Sequence, residues 1–396
     1  MSVKTKQKDR GQYMKKYKVA YATGSRADYG IVKNYLKLLN EDDEIEFTVL
    51  VTGSHLEEKF GSSVNIIKSD GFTIEKEINL NISNSSNSGV ISAMSRALEQ
   101  FGVFFQQKKY DLLIILGDRY EMFSVATAAA MNRIPILHLH GGEITYGNYD
   151  EFIRHSITKM STYHFAATEV YRNRIIQMGE EPERVFNLGA LGAENCKKID
   201  ESVVSEEVKK LENKNYYVVV FHPETLTDAD LTEQINEVLA AVKCFKDTYF
   251  VFMGTNADTN SDEIRNRWLD YANENRNIIY IENLNVDSFL YMLRNAIALV
   301  GNSSSGIIEA PSLGTYTINI GLRQSGRERG SSVIDVNCKR EEIVEAMTKC
   351  REVSAPENKF INPYYKENTK ENYYNKTKEI LHKEITGAKK FYDYSK

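Results

Sequence analysis

The sequence predicts an α/β protein of two doubly wound parallel-sheet domains with a cleft between them. Three observations carry this expectation. Short β-branched apolar runs alternate with longer amphipathic stretches, the pattern of parallel strands with helices packed on the sheet. The alternation stops at a charged, strandless stretch, 197–214, and then restarts. The length, 396 residues, also exceeds what one ordinary core organises.

In chain order, residues 1–13 are polar and basic with no apolar core of a secretion signal, and are expected to be a disordered extension. A first domain, 14–196, carries strand-like runs at 18–25, 46–54, 111–118, 134–142 and 163–169, with a further candidate at 184–190. Helical stretches at 30–39, 89–107 and 121–131 separate them, and 81–88 (NISNSSNS) is a polar loop. Residues 197–214 read as an interdomain helix and linker. A second domain, 215–366, repeats the pattern with runs at 216–224, 249–256, 277–283, 296–306, 315–321 and 332–336. The tail, 367–396, is helical and rich in Lys and Tyr, and could cross back onto the first domain.

Composition narrows the class of function. A net charge of −5 gives no reason to expect nucleic acid or an anionic membrane as partner. No apolar stretch approaches the roughly 20 residues of a membrane span. The four cysteines (Cys196, Cys244, Cys338, Cys350) show no C-x-x-C, which suggests reduced thiols in a cytoplasmic protein. His, Asp and Glu show no metal-ligand spacing either, so neither a metal nor another cofactor is expected in the chemistry.

Ligands of open α/β sheets bind beyond the carboxyl ends of the strands, and the polar residues here gather at those ends. The runs terminate in Gly24-Ser25-Arg26, Gly117-Asp118-Arg119, His140-Gly141-Gly142-Glu143, His222-Pro223-Glu224, Gly254-Thr255-Asn256 and Gly301-Asn302-Ser303-Ser304-Ser305-Gly306. In the last, a buried run feeds a Gly/Ser turn that opens a helix. Its backbone N–H groups, helix dipole and the hydroxyls of Ser303, Ser304 and Ser305 suit a phosphate, and Glu309 one turn on suits ribose hydroxyls. Arg26 and the loop GLRQSGRERG (321–330), with Arg323, Arg327 and Arg329, supply guanidinium groups for a diphosphate. No P-loop or dinucleotide fingerprint occurs.

Asp118, Glu143, Asp150 and His222 form the chemical set. Asp118 ends an apolar strand, where desolvation tends to raise a carboxyl pKa. Asp118 and Asp150 also fit helix N-caps, and His222 also fits a packed structural histidine. His138, His140 and His155 lean toward packing or supporting roles.

Together these segments resemble the hydrolysing UDP-N-acetylglucosamine 2-epimerases of bacterial sialic-acid biosynthesis. The resemblance runs from about Met14 to Tyr364 through TGSRADYGIV, LGDRYEMFSVA, HLHGGE, NYDEFIRHSITKMS, FHPETL, NADTNSD, GNSSSGIIEAPSL and GLRQSGRERGSSVIDV. GGE followed by YDEFIRH is similar to the hydrolysing branch; Leu322 departs from relatives that carry Asp in that loop. The resemblance implies a GT-B-like fold of two Rossmann-like domains, usually a homodimer or homotetramer, that turns UDP-N-acetylglucosamine and water into N-acetylmannosamine and UDP. It implies catalytic positions for Asp118, Glu143, Asp150 and His222. Arg26, Ser303, Ser304, Ser305, Glu309 and Arg327, with Asn256 and Arg323, take nucleotide or diphosphate positions. A non-hydrolysing 2-epimerase, a hydrolysing enzyme for a UDP-diacetamido-trideoxy or GDP sugar, a GT-B glycosyltransferase and a non-catalytic sugar-nucleotide-binding regulator remain as alternatives.

Overall fold

The computed structural model describes residues 16–58, 61, 63–83, 86–226, 229–255, 259–352, 360–383 and 389–393. The extension expected at 1–13 and Asn256 lie outside the described residues. The first sheet comprises β1 (Tyr17–Thr23), β2 (Ile45–Thr52), β3 (Ile74–Ile78), β4 (Leu112–Leu116), β5 (Ile136–Leu139), β6 (Tyr163–Ala166) and β7 (Val185–Asn187). The second comprises β8 (Tyr216–Val220), β9 (Tyr249–Met253), β10 (Ile278–Ile281), β11 (Ala298–Gly301), β12 (Tyr316–Ile320) and β13 (Val333–Val336). Every pairing in both sheets is parallel, in the orders β3-β2-β1-β4-β5-β6-β7 and β10-β9-β8-β11-β12-β13.

The period of two along the strands separates the two faces of each sheet. In the first, Ala20, Ala22, Leu113 and Ile115 face a core shared with the helices Asn87–Gln107 and Tyr120–Met131. Val19, Tyr21, Leu112 and Ile114 point to the opposite core, which includes the helix Arg26–Asn40. The C-terminal helix Thr369–His382 belongs to that second face: Tyr373, Ile380 and Leu381 are buried there, and Tyr35 Oη lies 2.7 Å from Thr377 Oγ1. Crossing back from the second half, this helix packs against the first sheet.

Two expectations need correction. β3 has no counterpart in the sequence reading because its motif, IEKEI, is mostly charged. It is an edge strand paired only to β2, and charged side chains there discourage pairing with a further strand. The stretch 197–214 is no interdomain helix. It holds only the short turns Glu201–Val203 and Glu206–Lys209, and it buries Val204, Val208 and Leu211 in a core of the second half. Among the described residues no helix is long and apolar enough to cross a membrane.

What matters for function is where each strand order reverses. In the first sheet the chain winds outward from β1 through β2 and β3, then returns to β4 on the other side; β8 and β11 repeat this in the second. Each reversal leaves a crevice at the carboxyl ends of the central strands. An apolar cluster joining Ala166 and Tyr171 to Ile307, Ile308 and Tyr364 holds the halves together beside it.

Candidate active site

The two crevices open into one cavity of about 690 Å³, a size suited to a small organic ligand. The first half contributes Arg26 after β1, Asp118 after β4 and Asp150 at the start of the helix Asp150–Met160. The second contributes His222 after β8, Ser303, Ser304 and Ser305 after β11, and Glu309. Arg323 and Arg327 reach the cavity from the loop after β12. Glu143 does not line it: the carboxylate is buried, 2.7 Å from Arg327 Nη1 and 3.5 Å from His140 Nδ1. Arg329 bends away to Asp335, 2.8 Å, and to the Arg327 carbonyl, so it braces its own loop.

Loops of the two halves also clasp each other beside the acids. Thr225 N donates to Asn148 Oδ1 (3.0 Å), Tyr149 N to Thr225 Oγ1 (3.0 Å), and Leu226 N to the Gly147 carbonyl (3.1 Å). Across the cavity Arg323 stands 3.9 Å from Asp150, and Asn148 donates to the same carboxylate at 3.3 Å.

The sign of the Asp118 shift differs from the sequence expectation. Burial does push its carboxyl up, but the guanidinium groups of Arg154, Arg327 and Arg323 outweigh burial and hold it below the ordinary carboxylate range. The balance favours the charged carboxylate of Asp118. Glu309 shows the opposite balance: burial pushes it up to about 7 against the lowering effect of backbone N–H, Ser305 and Arg327. Burial also lowers Arg26 to about 10, with Glu282 opposing.

The turn after β11 is built for close approach. Gly301 has φ +139°, and a Cβ there would collide with the Val220 carbonyl of β8, so only glycine fits. Asn302 follows and grips the neighbouring loop at two points, accepting from His222 N (2.7 Å) and donating to the His222 carbonyl (2.8 Å). The helix expected here is shorter than the sequence suggests. Ser305–Ile308 and Ala310–Leu313 are separate four-residue turns, with Pro311 near the start of the second. The dipole contribution is correspondingly small, and hydroxyl and N–H groups with the arginines carry any anion.

Three residues of the site escaped the sequence reading. Arg154 is fully buried and bonds Asp118. Asn302 positions His222, and its place one residue beyond an apolar strand was a usable signal. Asp28 lines the cavity with a carboxyl that burial raises to about 7, partly opposed by Arg119 and Ser25. His138 bonds Thr158 (3.1 Å) and the Gly117 carbonyl (2.8 Å), and burial drives it down to about 3; burial also lowers His140, while His155 pairs with Glu151 at 3.1 Å. Among the described residues no cluster of three or more His, Cys, Asp or Glu is arranged to hold a metal ion.

Comparison with known proteins agrees with this architecture. The chain is 46% identical to the polysialic acid biosynthesis protein P7 of Escherichia coli, over 95% of this chain and 97% of that protein. It is 35% identical to a hydrolysing UDP-N,N'-diacetylbacillosamine 2-epimerase of Legionella pneumophila, over 93% and 97%. The S. aureus MnaA–UDP co-structure superposes with a TM-score of 0.77 at 19% identity, covering 92% of this chain and 97% of that one, which establishes the shared GT-B-like fold. A family model for UDP-N-acetylglucosamine 2-epimerase matches residues 37–377. The chain belongs to the UDP-N-acetylglucosamine 2-epimerase family.

Proposed function

We propose that this protein converts UDP-N-acetylglucosamine and water to N-acetylmannosamine and UDP, the step that feeds sialic-acid biosynthesis. The observation that carries the reading is the convergence of Asp118 and Ser304, from opposite halves, on one cavity. The kinship to a polysialic acid biosynthesis protein and to a hydrolysing 2-epimerase supports the product and the reaction class. No metal or other cofactor enters. The enzyme works in the cytoplasm as a homodimer or homotetramer, with 14–196 supplying the acids and 215–366 most of the nucleotide seat.

In this reading the base of the nucleotide occupies the apolar end between Ile31, Leu284, Val286 and Phe289. Glu309 accepts from ribose hydroxyls. Arg26, Arg323 and Arg327, with Ser303, Ser304 and Ser305, hold the diphosphate. The sugar then extends toward Asp118, Asp150 and His222. A pyranose C2 proton has no neighbouring carbonyl and is hardly acidic. It becomes removable only as the C1–O bond to the diphosphate lengthens and C1 gains oxocarbenium character. Asp118 takes that proton while UDP departs on the opposite face, which leaves a C1=C2 glycal; the cations stabilise the charge growing on the diphosphate. Water next adds to C1 and a proton returns to C2 on the other face, giving the inverted free sugar. Asp150 delivers the proton of this second step, supported by Glu143 from behind the cavity wall through Arg327, and His222 assists the leaving phosphate or a sugar hydroxyl.

The same chemistry on UDP-N,N'-diacetylbacillosamine is the second reading, favoured by the Legionella relative. Parallel steady-state kinetics on the two sugar nucleotides decide. A kcat/KM at least about tenfold higher for UDP-N-acetylglucosamine, a difference of about 1.4 kcal/mol in transition-state binding, supports the first. The reverse ratio establishes the second.

A further inference from the structure

We infer that Arg154 is the positioning residue of this site: it fixes the Asp118 carboxylate and ties it to the loop and the helix that carry the other acids. The inference rests on the proposed function. Arg154 belongs to the helix that begins at Asp150, one turn later, and faces inward between Ile153 and Ile157. The side chain is only 1% exposed and does not line the cavity, so it cannot touch a ligand there. Both terminal nitrogens of its guanidinium are nevertheless engaged twice over. Nη2 donates to Asp118 and to Thr145 Oγ1 (3.0 Å), and Nη1 donates to the Glu143 carbonyl (3.0 Å) and Glu151 Oε2 (3.3 Å).

A buried cation costs several kcal/mol of desolvation unless it is closely paired, and a planar fork is the shape that binds several acceptors at once. Here the acceptors come from the end of β4, from the loop after β5 and from the helix itself. One rigid group therefore sets the spacing among Asp118, Glu143 and Asp150. The other charged or titratable groups around Asp118 are Arg323 and Arg327 from the loop after β12, His138 and His140 from β5 and its end, and Asp28 from the helix Arg26–Asn40. Arg323 and Arg327 face the cavity and are open to a bound diphosphate. Arg154 is the cation that stays with Asp118 through the cycle.

Asp118 works as a carboxylate, so activity falls as pH drops through its folded-state pKa. Burial unopposed by Arg154 raises that pKa, and the acid limb of the rate profile moves to higher pH. The test measures UDP release from UDP-N-acetylglucosamine against pH for wild type, Arg154→Gln and Arg154→Lys, with UDP affinity as the control for an intact nucleotide seat. The expected result is a kcat about 100-fold lower for Arg154→Gln, KM and UDP affinity within about threefold, and an acid limb moved up by about one pH unit or more. Arg154→Lys keeps the charge but not the fork, recovers about tenfold of the loss, and has its limb between the other two. A purely structural role lowers yield or stability and leaves the limb where it was. Should the Gln variant fail to fold, the Lys variant decides alone. A limb that does not move overturns the inference, while a wild-type enzyme that releases no UDP overturns the proposed function instead.

Discussion

Asp118 sits where two opposing effects meet. Its strand end is apolar and burial favours the neutral acid, yet three guanidinium groups from residues 154, 323 and 327 win. The position of Asp118 was readable, because an apolar run that stops at Gly-Asp marks the mouth of a crevice. The direction of its shift was not, because every charge that sets it lies at least 36 residues away in sequence. Arg154 was hidden for a related reason: an arginine in a short amphipathic helix reads as a solvated face until its acceptors are known. Replacing Asp118 by Asn removes the base without changing volume. UDP release should drop by at least about 100-fold with UDP affinity within about threefold, measured by coupled assay and titration calorimetry. Glu309 gives a second check. Its carboxyl takes a proton as pH falls through about 7 and then accepts less well from ribose hydroxyls, so UDP affinity should weaken on that side. In Glu309→Gln, binding should be weaker throughout and flat across the same range.

At the scale of elements, most strands were visible as β-branched runs, and the carboxyl-end rule then led to most of the polar residues that line the cavity. What failed were the elements whose pattern serves something else. β3 is charged because it guards an edge, and the helix expected after β11 is two four-residue turns that meet at Glu309. The stretch 197–214 looked like a linker because its apolar residues are few, but Val204, Val208 and Leu211 enter the core. The close approach of β8 and β11 is the most constrained feature of the second sheet. Gly301→Ala places a methyl group against the Val220 carbonyl at a φ that alanine avoids. It should cost about 3 kcal/mol or more in denaturant unfolding, and the surviving folded protein should bind UDP at least about tenfold more weakly.

On the scale of the whole molecule, two sheets with the same winding face their switch points toward each other, and neither half contains a complete site. The apolar cluster around Tyr171 and Tyr364, the clasp at Asn148 and Thr225, and the returning helix Thr369–His382 keep the halves in register. The sequence foretold two units and a cleft; the contacts that join them connect residues too distant in the chain for any local pattern to announce. The proposed function requires acids from one half and phosphate-gripping groups from the other to act on one sugar nucleotide with water. The most direct measurement is proton NMR of UDP-N-acetylglucosamine incubated with the enzyme alone in deuterated water. The account predicts free UDP and free N-acetylmannosamine carrying deuterium at C2. A UDP-linked product, a released sugar that keeps its C2 proton and configuration, or an unchanged substrate would contradict it.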